Sequence, residues 1–138
     1  MLSRVTLPEA PVDHFTLGDL TAHIDREGTR ELRIRMIGKS ASREAGKVLA
    51  PLFDQALAVA RSEARTLSLH FEALEYFNSS TIAALVQFIR AVQEGGVSME
   101  VVYDSRQKWQ AMSFDALRRA LRPFEAADGA SVRFRSIA

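Results

Sequence analysis

Cysteine is absent from this 138-residue chain, which excludes disulfide frameworks, thiolate metal sites and cysteine nucleophiles together. No apolar run approaches the roughly 20 residues that span a bilayer, and the N-terminus lacks the continuous apolar stretch of a secretory signal. The expectation is a cytoplasmic protein with no direct membrane insertion. A formal net charge of +1 gives no long-range attraction to nucleic acid, so no direct nucleic-acid partner is expected. Glycine-rich phosphate cradles are missing as well, because Gly95-Gly96 follows a helical pattern and does not open one. The three histidines, His14, His23 and His70, stand in no recognised arrangement around a serine, and the glycines of a nucleophile elbow do not flank Ser79 or Ser80. These absences argue against an enzyme.

What is present reads as one soluble domain, with 47% hydrophobic and 25% charged residues. Residues 1–16 are expected to be a lead-in or edge element, with little periodicity through Pro11. Leu17 to Asp25 and Thr29 to Ile37 read as an antiparallel hairpin with one wet face, joined by Asp25-Arg26-Glu27-Gly28. From Ala41 to about Ser62, Ala45, Val48, Leu49, Leu52, Phe53, Ala56 and Val59 form a helical stripe that Ser40 or Ser42 can cap. Pro51 predicts a kink or interruption near Leu49-Ala50.

Leu67, Leu69 and Phe71 then alternate as a strand, with His70 on the polar phase, where simple solvation is expected. A helix follows from about Ser80, with Ile82, Leu85, Val86, Ile89 and Val92 facing the core and Gly95-Gly96 ending it. Met99, Val101 and Tyr103 make another strand. Asp104-Ser105 can cap a helical stretch carrying Trp109 and Met112, and Ser113 can cap a second, with Asp115 in its first turn and an apolar face through Leu117, Ala120 and Leu121 to Pro123. Val132, Phe134 and Ile137 suggest a terminal strand after an Asp128-Gly129 turn. Such alternation predicts an α/β fold: a mixed β-sheet with α-helices packed on it.

In such sheets functional groups gather beyond the C-terminal strand ends. Two loops fall there: Asn78-Ser79-Ser80-Thr81 and Tyr103-Asp104-Ser105. The first puts three consecutive hydroxyls at a helix mouth, where unpaired N–H groups and the macrodipole favour negative charge, including a phosphate. The same residues are also ordinary helix caps. Glu72 and Glu75 just before it read as solvated carboxylates. Trp109, the only tryptophan, is either core or a partner-binding anchor beside Arg106 and Lys108. The C-terminal third is mildly basic, a solvated face or a docking surface for an acidic partner.

The element order and the strand-end hydroxyls resemble the STAS domain, the fold of anti-sigma factor antagonists, over residues 17–138. In that family Asp-Ser-Ser/Thr-Gly-Leu-Gly opens the second helix and its first Ser or Thr is phosphorylated. Here the segment is Asn78-Ser79-Ser80-Thr81-Ile82-Ala83, which puts the phosphoacceptor on Ser79, with Ser80 and Thr81 next. The run from Tyr103 to Leu117 also looks like a branch of small bacterial STAS-like regulators. Three departures stand out: Asn78 replaces Asp, and Thr81 and Ala83 replace the two glycines.

The resemblance implies a non-enzymatic regulator without cofactor or metal. Asn78, Ser79, Ser80, Thr81, Asp104, Ser105 and Trp109 would contact its partner. That partner would be a serine/threonine kinase or anti-sigma factor of the histidine-kinase-like ATPase type, and a PP2C-type phosphatase would reset the switch. The alternative is a constitutive STAS adaptor subunit of a membrane-transport or lipid-transport complex, in which the hydroxyls serve only as caps. A small-molecule binder or hydrolase on the basic C-terminal surface would need a real pocket.

Overall fold

Alternating apolar residues in the first half of the chain, each side chain pointing opposite to its neighbours, build one face of a seven-stranded sheet. The computed structural model describes residues 12–26, 28, 30–121 and 132–137. Its elements are β1 (Val12–Leu17), β2 (Leu20–Asp25), β3 (Glu31–Ser40), α1 (Ala45–Ser62), β4 (Thr66–His70), β5 (Leu74–Phe77), α2 (Ser79–Glu94), β6 (Met99–Tyr103), α3 (Lys108–Leu121) and β7 (Val132–Ser136). Strand order is β1-β2-β3-β4-β6-β7, with β5 pairing β3. The β1–β2 and β2–β3 pairs are antiparallel and the rest parallel. This is the expected mixed α/β sheet, and its fold is STAS-like.

All three helices cover one face. Ile34, Leu69 and Val101 from the sheet join Leu49 and Phe53 of α1, Phe88 of α2 and Phe114 of α3 in a single core. The opposite sheet face carries no described helix.

Several expectations shift. The first expected strand is split by a two-residue turn at Gly18-Asp19, so that Leu17 pairs with Leu20 and β1 forms an outer strand. The second runs on to Ser40. Leu74–Phe77 is a further strand, set off from β4 by a turn at Glu72-Ala73. It pairs with β3 across an irregularity between Gly38 and Lys39, and at Gly38 φ is +92° and a Cβ would clash with the Asp19 carbonyl oxygen.

Pro51 does not interrupt α1, which is one helix. Its helix-interior penalty of about 3 kcal/mol is offset by burial of Leu49, Leu52 and Phe53, each worth roughly 1.5–3 kcal/mol. Phe53 also stacks on Phe88 with ring centroids 4.4 Å apart. Ser40 does not cap α1, because it is buried against Thr81; Ser42 Oγ instead accepts the Glu44 N–H at 3.1 Å. The core stripe of α2 is rotated from expectation: Ala84 and Phe88 are buried, while Ile82 and Val86 lie at its margin. Ser113 caps nothing, since α3 runs through it, and Asp115 inside that helix pairs with Arg118 and Arg119. Ala120 is exposed.

The expectations for the segment through Pro11, for Glu27, Thr29 and Pro123, and for the Asp128-Gly129 turn lie outside the described residues.

Candidate functional site

Helix α2 begins where the chain leaves β5, and Asn78 fixes that corner. Its backbone is still extended, as an N-cap requires, the helix begins at the next residue, and Asn78 Oδ1 accepts the Thr81 N–H at 3.0 Å. The same oxygen accepts the Thr81 hydroxyl at 2.7 Å, while Asn78 Nδ2 donates to the Ser42 carbonyl at 2.9 Å. Because the Thr81 hydroxyl donates to Asn78, the buried Ser40 hydroxyl must donate to Thr81, 2.6 Å away. A backbone bond from Asn78 N–H to Ser40 C=O adds a further tie to β3.

The three hydroxyls therefore have different surroundings. Thr81 is buried, 1% exposed, and locked in this network. Ser80 is half-buried and its Oγ accepts the Gly46 N–H at 2.9 Å, joining the first turns of α1 and α2. Ser79 is exposed, and its side chain makes no hydrogen bond among the described residues. Neither helix has an acidic residue in its first turn, although Glu44 is the N-cap of α1, so the positive end of the α2 macrodipole at Ser79 has no carboxylate of its own helix to offset it.

The Tyr103-Asp104-Ser105 loop lies at the same sheet end. Phe77, one residue before Asn78, packs edge-on against Trp109 of α3 at 5.3 Å, which brings the two loops together. Trp109 is half-buried, with Nε1 donating to Gln107 Oε1 at 3.2 Å. Gln110, fully buried, donates to the carbonyls of Phe71 and Leu74 and accepts the Asp104 N–H. Asp104 is buried, 8% exposed, and its two oxygens meet Arg106 Nε at 3.0 Å and Nη2 at 3.1 Å. The Arg106 guanidinium holds the Asp104 carboxyl below the usual carboxylate range. Ser105 is tied to Ser136 at the end of β7.

Two residues expected to be solvated are not. His70 accepts or donates to Ser68 at 2.8 Å through Nε2 and meets Glu72 at 3.3 Å through Nδ1, with its side chain 12% exposed. Glu72 Oε1 is buried and unpartnered. The cause is their position on the central strand and its turn, between β3 and β6. The order hydroxyl, imidazole, carboxylate is that of a nucleophilic triad, but Ser68 is buried and its strand's N–H groups belong to the sheet ladder, leaving no backbone donors for an oxyanion. Glu75, by contrast, is exposed as expected.

Sequence reasoning missed Gly46 altogether and read Ser42 only as a cap, because their ties to Ser80 and Asn78 are contacts across 30 or more residues that no local pattern records. It also missed Tyr76, 48% exposed three positions before Ser79. Its phase opposite the buried Phe77 was the available signal.

No protein-family model and no curated protein matches the chain. Among solved structures, the chain is similar to one in the complex of the diguanylate cyclase SiaD with its activator SiaC from Pseudomonas aeruginosa. That match has 21% identity, a TM-score of 0.56, and covers 89% of this chain and 98% of that one. SiaC of Pseudomonas aeruginosa itself matches at 19% identity and a TM-score of 0.51, covering 97% of each chain. At these identities the likeness establishes a shared fold.

Proposed function

We propose that this chain is a small, non-enzymatic regulatory protein that binds a partner at the sheet end formed by Asn78, Ser79, Asp104, Ser105 and Trp109, and that phosphorylation of Ser79 weakens that contact. The observation that carries this reading is the difference among three adjacent hydroxyls: Ser79 is exposed and free, whereas Ser80 and Thr81 are engaged. A phosphate there adds about −1.5 to −2 charges and three acceptor oxygens. The α2 N-terminus stabilises it on this chain, while an interface packed over Tyr76 and Trp109 loses contact through desolvation and repulsion.

Similarity to a structure in which SiaC activates a cyclase supports a partner that is itself an enzyme. A kinase or anti-sigma factor of the histidine-kinase-like ATPase type, with a PP2C-type phosphatase for reset, fits the same chemistry. The test is intact-mass and peptide analysis of the protein purified from the cells that make it. One phosphoryl group on the Ser79 peptide, lost in Ser79→Ala, is expected. An unmodified protein, with partner binding unaffected by Ser79→Asp, overturns the switch and leaves a constitutive adaptor.

A further inference from the structure

The basic bias of the C-terminal third divides in the fold. On α3 it is only partly offset, Arg118 and Arg119 sharing the single carboxylate of Asp115. The β7 arginines, Arg133 and Arg135, instead reach the sheet face that no described helix covers, where register brings them into line with Arg33 and Arg35 of β3. One cross-strand row runs Arg33, Ser68, Glu100, Arg133. The next runs His14, His23, Arg35, His70, Val102, Arg135 and so holds every histidine of the chain.

The carboxylates on this face are already engaged. Arg33 holds Glu31 at 2.8 Å, Arg135 holds Glu100 at 3.1 Å, Glu72 meets His70, and Asp25 also has a partner. Arg35 and Arg133 are exposed and have no ion pair among the described residues. The face therefore presents two guanidinium groups without an ion pair, amid carboxylates that each already hold an arginine, a histidine or another partner. Beside Arg133 a groove of about 320 Å³ opens over Ser68 and Glu100.

We propose that this uncovered face is a second binding surface, separate from the Ser79 end and independent of its reading, for an extended acidic segment of a protein partner. Arg35 and Arg133 are separated by three strand spacings, about 14 Å, across the sheet and by two residues, about 7 Å, along it, which makes a diagonal of roughly 16 Å. An extended segment rises about 3.4 Å per residue and repeats its side every second residue, so carboxylates four positions apart stand about 14 Å apart on one side, and the reach of the glutamate and arginine side chains closes the remaining distance to both guanidinium groups. Each then forms a charge-assisted, two-point hydrogen bond of the kind guanidinium groups favour.

The test is fluorescence anisotropy of the whole protein with a labelled ten-residue peptide carrying glutamates four apart in a glycine-serine background. Its glutamine counterpart serves as the reference. The glutamate peptide is expected to bind at least about tenfold more tightly, and the Arg35→Gln/Arg133→Gln pair to abolish that preference. Arg61→Gln, on the exposed side of α1, and Ser79→Ala are expected to keep it. Equal affinity for both peptides, no binding of either, an equal loss in Arg61→Gln, or stronger binding of an oligothymidylate of similar length overturns the proposal.

Discussion

Gly46 N–H and Ser80 Oγ lie 2.9 Å apart, and that bond is the point at which the first turns of α1 and α2 touch. A Cβ on residue 46 would sit 2.8 Å from the Ser80 hydroxyl and 3.0 Å from its carbonyl oxygen. Alanine in place of helix glycine ordinarily stabilises by roughly 0.5–1 kcal/mol. Here the contact reverses the sign, and Gly46→Ala is expected to destabilise by about 1–3 kcal/mol. A urea midpoint that rises in this variant would show that the helices separate without cost.

Asn78→Asp adds a carboxylate at the α2 N-cap but removes the amide donor to the Ser42 carbonyl. The added charge at the helix N-terminus gains about 0.3–1 kcal/mol, and an oxygen facing a carbonyl loses about 1–3 kcal/mol. A net loss near 1 kcal/mol is expected by denaturant unfolding. A stabilised variant would mean that the Ser42 bond contributes nothing.

Ser79 and Thr81 are expected to behave oppositely. Ser79→Ala leaves stability within about 0.5 kcal/mol, because the side chain is exposed and unbonded, and Ser79→Asp raises it by about 0.3–1 kcal/mol through the charge it places in the first turn of α2. Thr81→Val strands the Ser40 hydroxyl and takes one donor from Asn78, costing about 1–3 kcal/mol. Partner affinity should show the reverse ranking, falling with Ser79→Asp and holding in folded Thr81→Val. Calorimetric titration of both variants against the co-purified partner decides it.

Acid sensitivity follows from Asp104. Its carboxyl is held below its ordinary value, first by the hydrogen bonds from Arg106, so the folded state binds fewer protons than the unfolded chain. That contribution is complete above the unfolded-state value and disappears as pH falls through the lowered folded value. Arg106→Ala should therefore be less stable than the parent near pH 7, with the difference shrinking as pH falls below the ordinary aspartate value. Thermal unfolding across that range checks it, and a constant difference would assign the effect to packing.

The elements with strong periodicity were legible in the sequence: Leu32, Ile34 and Met36 announced β3, and Gly95-Gly96 marked the end of α2. Local pattern failed where distant contacts decide. Pro51 reads as a helix breaker until Phe53 is seen stacked on Phe88, and Ser113 reads as a cap until Phe114 is seen packed on Phe71 and Tyr103. At the site, the sequence marked three hydroxyls without ranking their environments. The ranking comes from Ser40 and Gly46, which lie more than 30 residues away and enter only through tertiary structure.

The Gly38 irregularity lets one strand hold β4 along its first half and β5 along its last three residues, so the helix mouth is fastened to the middle of the sheet. With Asn78 bonded to the backbone of Ser40 and Ser42, a change at Ser79 has no hinge through which to travel. Modification there acts as a label on a fixed support. Its effect reaches only what docks against that corner, and amide chemical-shift changes in the free protein should stay within the first turns of α1 and α2.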